Sequence, residues 1–440
     1  MPTISIRGNE MPASPIRKLA PLADAAKQRG VHVFHLNIGQ PDLPTPQAAI
    51  DAIRNIDRKV LEYSPSAGYR SYREKLVGYY AKFNINLTAD DIIITSGGSE
   101  AVLFSFLSCL NPGDEIIVPE PAYANYMAFA ISAGAKIRTI ATTIEEGFSL
   151  PKVEKFEELI NERTKAILIC NPNNPDGKLI HREELLTLIE ANRQTVFVID
   201  QAYVAFTTEE LLKPSDIFKH PNLILIQSIS KEHNIPGLRI GYLIASPEKV
   251  EQINRYIIPW SVNAIAVEAG KYILTHPEQY ILPICEWRRE TIELIDRLNE
   301  LGDLEALPTS VTFFLARLKK GTAAALKQYL WDHHGLLIRP ETQFVRGKAP
   351  AVQRHGGVHQ RAACVTAAAK GQSHQKTSCS ISLKRQINRH INGLRTIVSV
   401  GDALVKNHFD KTGGRRPDES RQNARVRSSD HVCRGHKEGL

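Results

Sequence analysis

Short, nearly continuous apolar runs recur through the middle of the chain, each closed by polar or turn residues and followed by a helix-length stretch. "DDIIITSGGSEAVLFSFLSCL" reads as a strand, a glycine-rich turn and a helix. "DEIIVPEPAY", "KAILICNPNNPDG", "TVFVIDQAY" and "NLILIQSISK" each read as a buried strand that ends in polar residues. Runs of Ile, Leu and Val without alternation belong to strands covered on both faces, and helix-length spacers between them imply a parallel sheet. The fold class is therefore α/β, with a mostly parallel sheet between helices. Downstream, residues 294–340 read as helix, strand, helix, strand, the pattern of a smaller α/β domain that the N-terminal segment would complete. The boundaries drawn are an N-terminal segment 1–45, a large domain 46–290, a small and incomplete domain 291–340, and a tail 341–440.

Composition changes this picture mainly at the end of the chain. The formal net charge is +8 over 440 residues. Residues 341–440 hold 19 Lys and Arg against 7 Asp and Glu, so the basic excess lies in the tail. That tail has no Trp or Tyr and only two Phe, Phe344 and Phe409. Such a segment buries too little apolar surface to offset chain entropy, and it reads as disordered or as out-of-frame translation. A nucleic-acid partner is not expected, because a basic arm without stacking aromatics lacks half of what single-strand binding uses. No apolar run is long enough to span a membrane and no signal-peptide core opens the chain, so a cytoplasmic location is expected. The six cysteines show no metal-binding or disulfide spacing, and no metal is expected.

Ligands of open parallel sheets bind at the carboxyl ends of the strands. Three strands here end in specific polar residues: Asn174, Asp200 with Tyr203, and Lys231. A lysine inside such a site can form a Schiff base with an aldehyde, which points to pyridoxal phosphate. Asp200 is placed to keep the pyridine nitrogen protonated. Asn174 and Tyr203 are hydrogen-bond donors for the ring 3-oxygen, and "SGGSEA" opening a helix supplies backbone N–H groups for the phosphate, with Arg239 as the fixed cation. Tyr123 is a candidate lid for the ring face. Each of these also has a plain structural explanation as a cap, a turn or a packing residue. Their order on this strand pattern favours the cofactor.

With these motifs in place, the chain resembles the class I/II aminotransferase superfamily of fold type I over about residues 1–340. "LNIGQPDLPTP" resembles the substrate-side glycine segment through Gly39, and "YSPSAGYRSYREKL" the motif whose tyrosine, Tyr63, reaches the neighbouring subunit's phosphate. "SGGSEAVLFSF" is similar to the phosphate loop through Gly98 and Ser99, and "PEPAYANY" to the ring-stacking motif through Tyr123. "NPNNPDG" resembles N-P-x-N-P-T-G through Asn174, with Asp176 where threonine is usual. "VIDQAY" carries Asp200 and Tyr203. "SISKEHNIPGLRIG" makes Lys231 the Schiff-base lysine and Ser228 and Arg239 phosphate ligands.

The resemblance implies a homodimer that moves an amino group from an L-amino acid, of the aspartate type, to a 2-oxo acid. Residues 1–173 resemble aspartate-type aminotransferases. Residues 174–340 look more like histidinol-phosphate aminotransferases and threonine-phosphate decarboxylases, most clearly in "IPWSVNAIAVEAG", as a recombinant or misassembled frame would. Decarboxylation of a threonine-phosphate-like substrate, or a catalytically impaired chimeric chain, are the alternatives. After "GLLIRP" the arginine that clamps the substrate carboxylate is expected, and Arg354 and Arg361 are its candidates, without the family's flanking pattern.

Overall fold

The computed structural model describes residues 3–12, 14, 17–40, 44–280 and 284–340, together with the backbone of 362–366. The five apolar runs become β2 (Ile92–Thr95), β3 (Glu115–Glu120), β5 (Thr164–Cys170), β6 (Val196–Asp200) and β7 (Leu223–Ser228). Two further strands join them, β4 (Lys136–Ala141) and β8 (Gly241–Ala245), in a seven-stranded sheet of order β2-β8-β7-β6-β5-β3-β4. From β7 to β4 every pairing is parallel, whereas β8 runs antiparallel to both β7 and β2. Since β8 reverses twice, β2 points the same way as β7. The carboxyl ends of six strands therefore face one edge.

Alternate residues of each strand feed two cores, because successive side chains leave opposite faces of a sheet. Ile92, Ile94, Ile167, Ile169, Phe197, Ile199, Leu223 and Leu225 pack into one core with Tyr72, Leu76 and Val267. Ile93, Ile116, Leu168, Val198, Ile224 and Ile226 pack into the other with Val102, Phe106 and Ile253. Helices cover both faces, which is why the central strands carry apolar residues on both sides through most of their length.

The small domain uses helix Ile284–Glu300, β9 (Leu304–Ala306), β10 (Phe313–Leu318) and helix Ala323–His334. The N-terminal segment joins it: β1 (Phe34–His35) pairs in parallel with β11 (Leu336–Leu337), and Leu19, Ala23, Ala26 and Val33 pack with Leu337. Residues Arg339–Pro340 form β12.

One expectation needs correction. A disordered or out-of-frame tail is expected over 341–440, but Ala362–Thr366 forms β13, antiparallel to both β10 and β12. The free edge of β10, "FFLARL", needs ladder partners, and "AACVT" is a short uncharged run that supplies them. The rest of the tail, with Arg354 and Arg361, lies outside the described residues. Among the described residues, no helix is long and apolar enough to cross a membrane.

Candidate active site

The edge where the parallel strands end collects most of the residues singled out in the sequence. Asp200 is the last residue of β6, and Lys231 sits one turn past β7 in the short helix Ile229–Glu232, which Ser228 caps by accepting from Ser230 N–H at 3.4 Å. Asn174 Nδ2 donates to the Tyr203 hydroxyl at 3.1 Å, so the loops after β5 and β6 meet. Gly39 closes on the same group: a Cβ built there would lie 3.0 Å from Tyr203 Oη. Helix Gly98–Cys109 begins at this edge after β2, and its first N–H groups lack partners within the helix.

Arg239 is held against that helix start. It has the left-handed φ of 55°, and its guanidinium donates to the carbonyls of Pro236 at 2.9 Å and Ser96 at 3.4 Å. Gly97, at φ 90°, leaves room for it; a Cβ there would meet Arg239 Nη2 at 2.4 Å. Gly98 abuts Ser228, and Gly241 is pressed against the backbone of Gly97 and Gly98, where a Cβ would lie 2.6 Å from Gly98 N. Three chain segments thus bring N–H groups, a hydroxyl and a cation together, the features of an anion site.

The electrostatics favour chemistry at Lys231. Burial, with Arg239 nearby adding like-charge repulsion, pushes its amine down to about 8, while Asp200 pulls the other way. Burial raises the Asp200 carboxyl above its ordinary range, opposed by its two hydrogen bonds and by Lys231. Those bonds come from the Tyr126 hydroxyl at 2.7 Å and Ala202 N–H at 3.0 Å. Tyr123 lies edge-on to Tyr126, with ring centroids 5.3 Å apart, and its hydroxyl accepts from Asn125 Nδ2 at 2.7 Å.

Comparison with known proteins accounts for this arrangement. The family model described as aminotransferase class I and II matches residues 31–352. The chain belongs to that family. An aspartate aminotransferase of Thermotoga maritima is 27% identical over 353 residues, covering 78% of this chain and 92% of that protein. A histidinol-phosphate aminotransferase of Caldanaerobacter subterraneus is 27% identical, covering 65% of this chain and 79% of its own length. Among solved structures, L-threonine-O-3-phosphate decarboxylase from Porphyromonas gingivalis superposes with a TM-score of 0.65 at 29% identity, over 83% of this chain and 99% of that one.

The enzyme is thus a class I/II aminotransferase, and its cofactor is pyridoxal phosphate. The residues present fit that group. A half-buried amine whose proton is loosened, a buried carboxylate aimed by the Tyr126 hydroxyl, and a glycine-lined cradle beside Arg239 match an aldehyde, a pyridine nitrogen and a phosphate.

Tyr63 does not join the others in this aminotransferase chain. It is 76% exposed and stacks on Trp260 with centroids 4.8 Å apart. Two residues that the sequence reading missed do belong here. Tyr126 lies one helical turn beyond Tyr123, but its bond to a residue 74 positions away has no local signal. Arg339, at 5% exposure, acts electrostatically on Tyr123 from β12, and in the sequence it looked only like the end of a strand.

Proposed function

We propose that this aminotransferase takes the amino group of an L-amino acid with an acidic side chain and passes it to a 2-oxo acid. The observation that carries the reading is the placement of Lys231, one turn past β7, at the strand edge where β6 ends in Asp200, with burial and Arg239 lowering its amine to about 8. When bound, pyridoxal phosphate would supply an aldehyde to hold the substrate amine and a ring to take up the electrons released at Cα. Lys231 Nζ would hold the cofactor aldehyde first and then move the proton at the substrate Cα. Asp200, aimed by Tyr126 and Ala202, would hold a proton on the ring nitrogen. Asn174 and Tyr203 would orient the ring 3-oxygen, and Tyr123 would cover a ring face.

The phosphate would rest on Gly98, Ser99, Ser228 and Arg239. Gly39 and Asn174 would border the substrate. The aspartate preference follows the relatives so named.

A homodimer is part of the reading. Val60, Leu61, Tyr63, Ile258 and Trp260 are all more than half exposed, and Tyr63 meets Trp260 at this patch. An apolar surface of this kind marks an association site, and Tyr63 would reach the site of a second copy across it. The cytoplasm is the proposed location.

Decarboxylation is the second reading, favoured by the likeness to the Porphyromonas decarboxylase. The two separate in one experiment: the cofactor-loaded protein is mixed with aspartate, glutamate or threonine phosphate, with absorbance and CO₂ followed together. Conversion to the pyridoxamine form with release of a 2-oxo acid is expected, and CO₂ without that conversion contradicts the proposal. A band that no amino acid changes would favour an impaired chimeric chain.

A further inference from the structure

The loop after β5 carries a buried carboxyl that the mechanism does not use. Asp176 is 0% exposed. Its Oδ2 accepts from Asn173 Nδ2 and its Oδ1 from Lys178 N–H, both at 2.9 Å. Asn173 in turn donates to Pro121 O at 2.9 Å, on the loop that carries Tyr123. On the other side the loop is tied to the small domain. Lys178 Nζ donates to Pro308 O at 2.8 Å, Ser310 N–H donates to Gly177 O at 3.0 Å, and a Cβ on Gly177 would lie 1.8 Å from Thr309 Oγ1.

We propose that Asp176 is a positioning residue that, when ionised, joins the Asn174 loop to the Pro308–Ser310 turn and so fixes Asn174 at the cofactor. This rests on the role proposed above for Asn174. An ionised carboxylate can take both N–H bonds and also attract the Lys178 ammonium that reaches Pro308. The threonine usual at this place in the motif has one hydroxyl and no charge, so it cannot do all three. Protonation would remove the charge and aim an O–H toward groups that are already donors.

Among the described residues, the titratable groups that act on Asp176 are Lys178, on its own loop, and Cys170, at the end of β5. Burial pushes the carboxyl up from 3.8 to about 7, against the pull of its N–H partners and of Lys178. A carboxyl that keeps its proton longer in the folded chain than in the unfolded one favours folding at low pH. That contribution fades as the pH rises through about 7. The tether behaves in the opposite way, because it forms as the proton leaves. Stability and cofactor binding should therefore respond to pH in opposite directions through this one residue.

The test compares the wild type with Asp176→Thr and Asp176→Asn. Pyridoxal phosphate affinity is titrated by absorbance at pH 6 and pH 8, and the melting temperature of the cofactor-free proteins is taken at both. Dividing by the variant cancels the pH dependence that Lys231 and the cofactor contribute. Relative to Asp176→Thr, wild-type affinity should improve about tenfold from pH 6 to pH 8, the scale of one hydrogen bond to a charged group. Wild-type melting temperature should fall relative to the variant over the same interval. Melting that diverges while relative affinity stays level would make Asp176 a purely structural carboxyl and overturn the proposal. So would identical pH responses in both measurements, with Asp176→Asn as the check if Asp176→Thr does not fold. Absence of wild-type binding at either pH would overturn it together with the cofactor reading beneath it.

Discussion

At the scale of single residues, Asp200 is held by two donors among the described residues. Tyr126 Oη and Ala202 N–H bind its two oxygens while burial raises its pKa, so a cationic ring nitrogen would find a buried carboxylate already aimed. Asp200→Asn keeps the shape and removes the charge, and it should lower kcat roughly 10²- to 10³-fold, as loss of an oriented electrostatic partner does. Steady-state kinetics at saturating cofactor is the measurement; a variant within twofold of wild type would remove Asp200 from the mechanism. Lys231, Asp200, Asn174 and Tyr203 stood out in the sequence because each ends or follows a short apolar run bounded by turn residues, and Arg239 because of its spacing from Lys231. Tyr126 and Arg339 did not. Their relevance comes from contacts between segments far apart in the chain, and neither stands at a break in the hydrophobic pattern.

At the scale of elements, the antiparallel strand β8 is wedged where the phosphate cradle must form. A Cβ on Gly241 would meet Gly98 N at 2.6 Å, Gly97 C at 2.7 Å and Gln227 O at 2.9 Å, all of them backbone atoms that cannot swing aside. Gly241→Ala should therefore destabilise the protein by about 3 kcal/mol, the upper range for overpacking a rigid site, and weaken cofactor binding as well. Urea denaturation checks the first and absorbance titration the second; unchanged stability would mean that the turn at Gly97–Gly98 is looser than described. Five of the seven strands of the sheet were read from near-continuous Ile, Leu and Val. The others were missed for physical reasons. β4, "KIRTIA", is a partly exposed edge with charges interleaved, whereas "GYLIA" of β8 is short and directly follows the basic segment that carries Arg239. In β13 the run "AACVT" has little bulk, and its pairings with β10 and β12 are what identify it as a strand.

At the scale of the whole molecule, the exposed patch of Val60, Leu61, Tyr63, Ile258 and Trp260 is the surface that a monomer would leave wet. The chain should sediment at about twice its mass of 49.1 kDa. Ile258→Asp places a charge in that contact, where desolvation is strongly unfavourable, and should shift the protein to monomer with loss of activity. A wild type that sediments as a fully active monomer would contradict this part of the account.

The central claim is that the lysine after β7 is where pyridoxal phosphate attaches, and borohydride reduction of the loaded protein followed by peptide mapping tests it most directly. A single pyridoxyl group on Lys231, lost in Lys231→Ala, is expected. Labelling spread over surface lysines, or undiminished in that variant, would contradict it.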